Sequence, residues 1–445
     1  MSSLLGSQLK QNMSMGLPTR NKSVADYIGC AMRPCGDYAD SEKGPSHKRS
    51  PWLRGNEDLP NLSLHDEIAK FMLYIQPTKQ EISVRDDLVD RFTRLIASFK
   101  TSATVHPVGS YVTGFFLPTS DIDMVLIFDK DRGPSSASIF PSSARMVLSS
   151  ILHKLQGTGF ASKVENVLQA TVPLIRITDK KTGIEIDLTA ADTHGIKATK
   201  AVQKWTDGED AEIIKMLVTV VKMFLSIRRC GTTYTGGLNS YVLVWLVVAW
   251  VHLEWKGNKP QSSAVPDYNR ALNERQERQD AAFNRMFLEF QTINLDSSQR
   301  LPQKPITSTP VRAVSQRNPP PTDFGEILLR FFQFYGCQFD YYTRAISIEP
   351  HPAYVEKIIP YSRYVTQRYL LAISDPADNY VDMGSKAYGI KNVQESFKEA
   401  YSILSKAKRQ YGRLVRLGKT RGLLGYVLGG DFTNFDRKRA AILRA

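Results

Sequence analysis

A small α/β domain on a mixed sheet, followed by a mostly α-helical domain, is the fold class this 445-residue sequence predicts. Three observations carry it. Thr119 to Phe128 alternates and then turns fully apolar, as a strand buried in a sheet does, and Val164 to Leu168, Val172 to Thr178 and Ile184 to Ala190 repeat the strand signal. Pro141 to Leu155 has helical spacing between them, with Met146, Val147, Ile151 and Leu152 inward. From Asp192 the period becomes helical, and no later apolar run reaches the roughly twenty residues a membrane span needs; Tyr241 to Val251, the longest, reads as a buried helix.

The elements follow in order. Residues 1–50 are rich in Ser, Gly, Lys and Asn without a sustained period, so a disordered tail is expected. Residues 51–100 form two helices. The first starts at Ser63 with Leu64, Ile68, Phe71, Met72 and Ile75 on one stripe, and Pro77 ends it. Thr78-Lys-Gln-Glu81 is a capping box opening the second, with Ile82, Leu88, Val89, Phe92, Leu95 and Ile96 inward. The α/β domain occupies 101–191 and the helical domain 192–407. Ala211 to Arg229 reads as an amphipathic helix closed by Gly231, Phe339 to Ile348 as paired strands and Asn392 to Ala407 as the closing helix. Residues 256–321 interrupt the domain with a surface insertion, Pro-, Gln- and Arg-rich from Gln299 onward. Residues 408–445 form a basic tail whose Arg413, Arg416, Lys419, Arg421, Arg437, Lys438, Arg439 and Arg444 suit RNA, solubility or targeting.

Chemistry is concentrated in Pro107 to Phe128. Asp121 and Asp123 lie two apart on a strand and share a face. Carboxylates so placed repel each other and need a cation; all-oxygen ligation with open positions suits Mg²⁺. Gly109 permits close backbone approach to a phosphate, and Ser110 opens a short helix with free N–H groups and a hydroxyl. A third carboxylate, Asp187, stands opposite the apolar face made by Ile184, Ile186 and Leu188, and three carboxylates can hold two metal ions. Arg176 reads as a solvent-facing strand charge. Gly236-Gly237-Leu238-Asn239-Ser240-Tyr241 opens the buried helix, where Ser240 favours phosphate and the Tyr241 ring can stack on a base.

The pattern G-S, D-h-D, h-D-h resembles the DNA polymerase β-like nucleotidyltransferases. The runs PWLRGNEDLP…LHDEIAKFMLYIQPT, TYTGGLNSYVL, FGEILLRFFQFYGCQFDY and ISDPADNYVDMGSKAYG narrow the resemblance to nuclear poly(A) polymerases of the exosome-activating complex, over residues 51 to 405. The resemblance implies an α/β palm, a helical PAP-associated domain and a nucleotide cleft between them. It implies Thr199 at the ribose, Lys222 at a phosphate, Ser226 in place of a second base, and a nucleotide-recognition loop containing Asp375, Asp378, Val381 and Asp382. Asn239 departs from a family Gly. Template-independent addition of AMP from ATP to an RNA 3′ end is then expected, with two Mg²⁺ or Mn²⁺ ions on Asp121, Asp123 and Asp187. Addition of UMP from UTP and a catalytically silent nucleotide-binding scaffold are the alternatives. Val381 stands where uridylyltransferases tend to carry His and the adenylyltransferases Asn. A zinc-knuckle RNA-binding protein, a DExH helicase and a nuclear location are implied in the same way.

Composition agrees with that reading. A net charge of +14 and a pI near 9.4 favour a polyanionic partner. Cys30, Cys35, Cys230 and Cys337 are too scattered for a disulfide framework or a zinc site, so a reducing compartment is expected.

Overall fold

The computed structural model describes residues 27–39, 50–55, 62–99, 103–128, 141–170, 172–190, 194–257, 322–357, 367–416 and 422–444. The 256–321 insertion lies almost wholly outside them.

Ser63 and Thr78 each satisfy the first free N–H groups of a helix by a reciprocal capping box, with Asp66 and Glu81 respectively. The helices are α1, Leu64–Ile75, and α2, Lys79–Ser98. They serve different cores. Leu64, Ile68, Phe71 and Ile75 of α1 pack into the helical domain, whereas Leu88, Val89, Phe92 and Ile96 of α2 pack under the sheet. Ile82, expected inward, is 39% exposed, because the inward position of that turn is taken by Glu81.

The sheet consists of β1 (Ala103–Pro107), β2 (Ile122–Phe128), β3 (Ala161–Val167), β4 (Leu174–Asp179) and β5 (Glu185–Ala190), in the order β1-β2-β5-β4-β3. Only β2 and β5 are parallel, so the sheet is mixed as expected. Ile122, Met124, Leu126, Ile175, Ile177, Ile186 and Leu188 pack with Leu148, Ile151 and Leu155 of α4 (Pro141–Gln156). Period two then sends the intervening residues to the other face.

The helical domain contains α5 (His194–Thr206), α6 (Ala211–Ile227), α7 (Ser240–Trp250), α8 (Phe324–Gln333) and α9 (Ile390–Arg416). It also holds two hairpins, β6 (Arg344–Ser347) with β7 (Ala353–Glu356) and β8 (Ser374–Asp375) with β9 (Asp378–Asp382). Of the strands expected over Phe339 to Ile348, only β6 forms; the preceding Phe334–Gln338 is a wide helical turn ending α8. The α6 helix is amphipathic as expected, with a broad buried face and one polar stripe carrying Glu212, Lys215, Lys222 and Ser226, but it ends through Arg229 at φ 52, not Gly231. Cys230 N–H reaching Leu225 O at 2.8 Å closes that end as a Schellman turn.

Both tails depart from expectation. Residues 27–38 lie on the helical domain: Met32 N–H donates to Ser396 Oγ at 2.9 Å and Cys35 N–H to Ile227 O at 2.9 Å. At the other end α9 continues to Arg416, and after Gly422 the chain forms α10 (Gly425–Leu428) and α11 (Thr433–Leu443). Leu424, Val427, Phe432 and Phe435 enter the helical core and Ile442 enters the sheet core, so this segment straps the two together. Arg439 is not a free basic group; it pairs with the buried Glu81. Lys419 and Arg421 lie outside the described residues.

Glu67 fastens the strap. Its fully buried carboxylate accepts from Trp52 Nε1, Leu424 N and Gly425 N, yet burial outweighs these donors and pushes it up to about 7. A carboxyl raised above its ordinary value of 4.5 contributes stability below that value and loses it as pH rises through about 7. Unfolding free energy is therefore expected to fall by up to roughly 3 kcal/mol between pH 4.5 and 7 from this group. Denaturant titrations across that window should show the slope flatten in Glu67→Gln; an unchanged slope rejects the assignment.

Candidate active site

Strand register builds the centre. Asp123 on β2 pairs directly with Asp187 on the parallel β5, and Asp121 immediately precedes β2. The three carboxylates expected to act together are thus gathered along the adjacent inner strands β2 and β5. Burial, then the neighbouring carboxylates, pushes Asp123 up to about 7 and raises Asp121. Such crowding is the condition a hard divalent cation relieves, and the all-oxygen donor set suits Mg²⁺ or Mn²⁺.

One feature runs against a ready-made cage. Arg176, read from sequence as a solvent-facing charge, donates from Nε to Asp187 Oδ1 and from Nη2 to Asp187 Oδ2, both at 2.7 Å. Among the described residues, no three His, Cys, Asp or Glu side chains are already drawn together as a metal cage. The residues fit the ions in kind, with Asp187 already sharing its oxygens with Arg176.

Gly109 lies at φ 70, and a Cβ there would come 2.7 Å from Asp123 Oδ2, so both backbone and space require glycine. Ser110 opens the single turn Ser110–Thr113, labelled α3. Thr199, expected at the ribose, is spent on this turn: its hydroxyl accepts from Gly109 N–H at 3.0 Å and donates to Gly195 O at 2.8 Å. Thr199 is buried and positions the Gly109 turn.

Lys222 reaches from α6 to the sheet domain, its ammonium donating to Phe115 O at 3.0 Å. Burial lowers its pKa while the charges of Asp121 and Asp123 oppose that shift. A cation there faces both carboxylates and can meet a phosphate.

Across the cleft, Tyr241 donates its hydroxyl to Asp375 Oδ1 at 2.8 Å and sets its ring edge-on to Trp245. Burial and the Asp375 charge raise the phenol pKa, so it stays a donor. Asp375 is interior at 2% exposure and also accepts from Ala377 N–H at 2.8 Å. Its Oδ2 faces His194 Nε2 at 2.9 Å. Asp375 thus positions Tyr241 rather than reaching outward, and His194 at the start of α5 is the site residue sequence reading missed. Its place beside Gly195, two residues from the domain boundary, was the available signal.

Ser240 is the first residue of α7, and Asn239 caps it by accepting from Val242 N–H at 2.8 Å. The Asn that departs from the family Gly is therefore a helix cap. Asp378 opens β9 opposite Asp375, and Val381 on the same strand is half-buried. Asp382 turns inward, accepting from Ile373 N–H at 3.0 Å and Gly384 N–H at 2.9 Å, and fixes the loop.

Comparison with known proteins agrees with this geometry. Residues 64–207 match the family model "Poly(A) RNA polymerase, mitochondrial-like, central palm domain", and residues 323–380 match "Cid1 family poly A polymerase". The first match takes in α1, α2, the five-stranded sheet and α5, and the second takes in α8, the β6–β7 hairpin, β8 and the start of β9. Poly(A) RNA polymerase protein 2 of Saccharomyces cerevisiae is 25% identical over 408 residues, covering 88% of this chain and 57% of the relative. Poly(A) RNA polymerase cid14 of Schizosaccharomyces pombe is 26% identical over 374 residues, covering 83% and 45% respectively. The chain thus spans about half the length of these curated relatives. The solved polymerase core of TRAMP, described as an RNA surveillance complex, superposes with TM-score 0.61 at 24% identity over 86% of this chain and all of that one. At that identity the likeness establishes the fold: a palm joined to a helical domain across a cleft.

Proposed function

We propose that this chain is a template-independent RNA 3′-terminal nucleotidyltransferase that adds AMP from ATP and releases pyrophosphate. The observation that carries the reading is the pairing of Asp123 with Asp187 beside Asp121, faced by Lys222 from the opposite domain. Two divalent ions on these carboxylates would activate the RNA 3′-hydroxyl and stabilise the departing pyrophosphate. Gly109 and Ser110 take the phosphates at the palm wall, and Lys222 neutralises the triphosphate from the helical side. Tyr241, locked by Asp375, offers its ring to the base and sets the distance between base and carboxylates. The chain's own work is positioning and charge neutralisation.

The RNA 3′ end is the acceptor in this reading. The net charge of +14 supports a polyanionic partner. A zinc-knuckle RNA-binding protein and a DExH helicase as partners, and a nuclear location, extend the proposal and rest on family resemblance alone. No helix among the described residues is long and apolar enough to cross a membrane.

ATP is favoured over UTP because Val381 is smaller than His, leaves room for a purine and offers no hydrogen bond to uracil. Labelled RNA given each NTP separately should be extended fastest with ATP, and Val381→His should shift kcat/KM toward UTP by about ten-fold, near the low end for an apolar wall. If UTP already exceeds ATP in the wild type, the uridylyltransferase reading replaces this one. If no NTP supports extension, the silent scaffold does.

A further inference from the structure

Strand register places four charged residues in one row across the palm sheet: Glu165, Arg176, Asp187 and Asp123, on β3, β4, β5 and β2. The signs along the row are minus, plus, minus, minus. Arg176 is directly opposite both Glu165 and Asp187, but its guanidinium is committed to Asp187, taking both carboxylate oxygens in the two-point fork a planar guanidinium makes. Each Asp187 oxygen keeps a second lone pair, but the guanidinium charge beside both of them weakens the pull of Asp187 on a cation beside Asp123.

Arg176 has somewhere else to go. Glu185 Oε2, on the same face of β5 two residues earlier, lies 3.8 Å from Arg176 Nε, and the Glu185 side chain is half exposed. The Arg176 side chain is itself about one-third exposed, so its outer end can move without repacking the core. Asp187, in contrast, is nearly buried and faces the catalytic carboxylates. One arrangement holds Arg176 on Asp187; in the other it would sit on Glu185, the flanking Glu165 being already paired with Lys163, and Asp187 would be free.

We infer that Arg176 is a positioning residue that occupies Asp187 as an internal counter-cation and competes with a divalent cation for that carboxylate. Asp121 and Asp123 then form the standing part of the metal site, and Asp187 is a conditional ligand released when Arg176 swings toward Glu185. This rests on the reading of Asp121, Asp123 and Asp187 as metal ligands. Its consequence is that metal affinity in the nucleotide-free protein is held down by Arg176, which keeps the acidic cluster neutralised between turnovers.

The test is Mn²⁺ binding to the nucleotide-free full chain, read by the loss of the free-ion electron paramagnetic resonance signal. Arg176→Gln is expected to tighten Mn²⁺ binding about ten-fold, the loss of one close charge competitor at a cost of about 1.4 kcal/mol. Arg176→Lys keeps the charge and loses the fork, so it should tighten binding by less. The decisive arm repeats Arg176→Gln in an Asp187→Asn background. Competition for Asp187 requires the gain to vanish there, whereas a general effect of removing a positive charge persists. A gain of equal size in both backgrounds, or no gain in either Arg176 variant while Asp187→Asn weakens binding, overturns the inference and leaves the metal reading intact. If Asp187→Asn leaves Mn²⁺ affinity unchanged with Arg176 present and absent, Asp187 is not a ligand and the metal reading fails first. Thermal unfolding of each variant reports whether a change in affinity is a change in fold.

Discussion

Replacing Asp123 with asparagine is expected to lower nucleotide addition at least about a thousand-fold, a loss of about 4 kcal/mol of transition-state stabilisation, without unfolding the protein. Both halves follow from its surroundings. Asp123 sits directly opposite Asp187 and beside the Gly109 turn, so a ligand lost there is lost between both neighbours and the incoming phosphates. It is also the group most strongly held toward its neutral form, by burial first and then by Asp121 and Asp187. An amide is the same shape as the protonated acid and carries no charge, so the substitution relieves repulsion rather than opening a cavity. Primer-extension rates with ATP, set beside thermal unfolding of the metal-free protein, separate the two. Near wild-type extension would remove Asp123 from the catalytic centre, and a lost folding transition would make it a structural residue.

How much of this was legible in the sequence depends on the range of the interaction. The carboxylates were readable because alternation places Asp121 and Asp123 on one face locally, and the same rule placed Asp187. The capping boxes at Ser63 and Thr78 were equally local in origin. Arg176 was misread because alternation gives a face but not a neighbour; only the β4–β5 register shows that the neighbour is Asp187. The Thr199 contact is of the same kind: its hydroxyl bonds Gly109, ninety positions away in the chain, and no spacing rule reaches that far. Asp375 and Asp382 carry acidic side chains in a loop that resembles a ligand-binding one, yet both are turned inward to hold Tyr241 and the loop backbone. The family resemblance pointed to the loop, and the structure shows that Asp375 and Asp382 brace it from within.

The C-terminal segment is where sequence reading erred most, and it supplies the largest expected stability effect. Ten of the 38 residues of 408–445 are Lys or Arg, which gives the segment its basic look, while its apolar residues are too irregularly spaced to signal a helix pair. Those residues nevertheless fill both cores, and Arg439 closes the gap between α1 and α2. Its Nε and Nη2 meet Glu81 Oε1 at 2.6 Å and Oε2 at 2.9 Å, Nη2 also reaches Gln76 O, and Nη1 reaches Tyr74 O. Glu81 is fully buried, so Arg439→Ala leaves its carboxylate with Thr78 as donor but no counter-charge from the strap, and leaves two helix-end carbonyls without the guanidinium. Breaking such a pair from one side costs about 3 to 5 kcal/mol. Arg85 moderates the loss: it is buried four residues along α2, attracts Glu81, and its Nε and Nη1 have no hydrogen-bond partner among the described residues. A destabilisation of about 3 kcal/mol is therefore expected by denaturant unfolding. Adding Glu81→Gln to Arg439→Ala should recover part of it, because the stranded charge is then removed. A loss below about 1 kcal/mol, the range of an exposed pair, would mean that the strap does not hold the two helices together and that Arg439 belongs to the solvated surface the composition suggested.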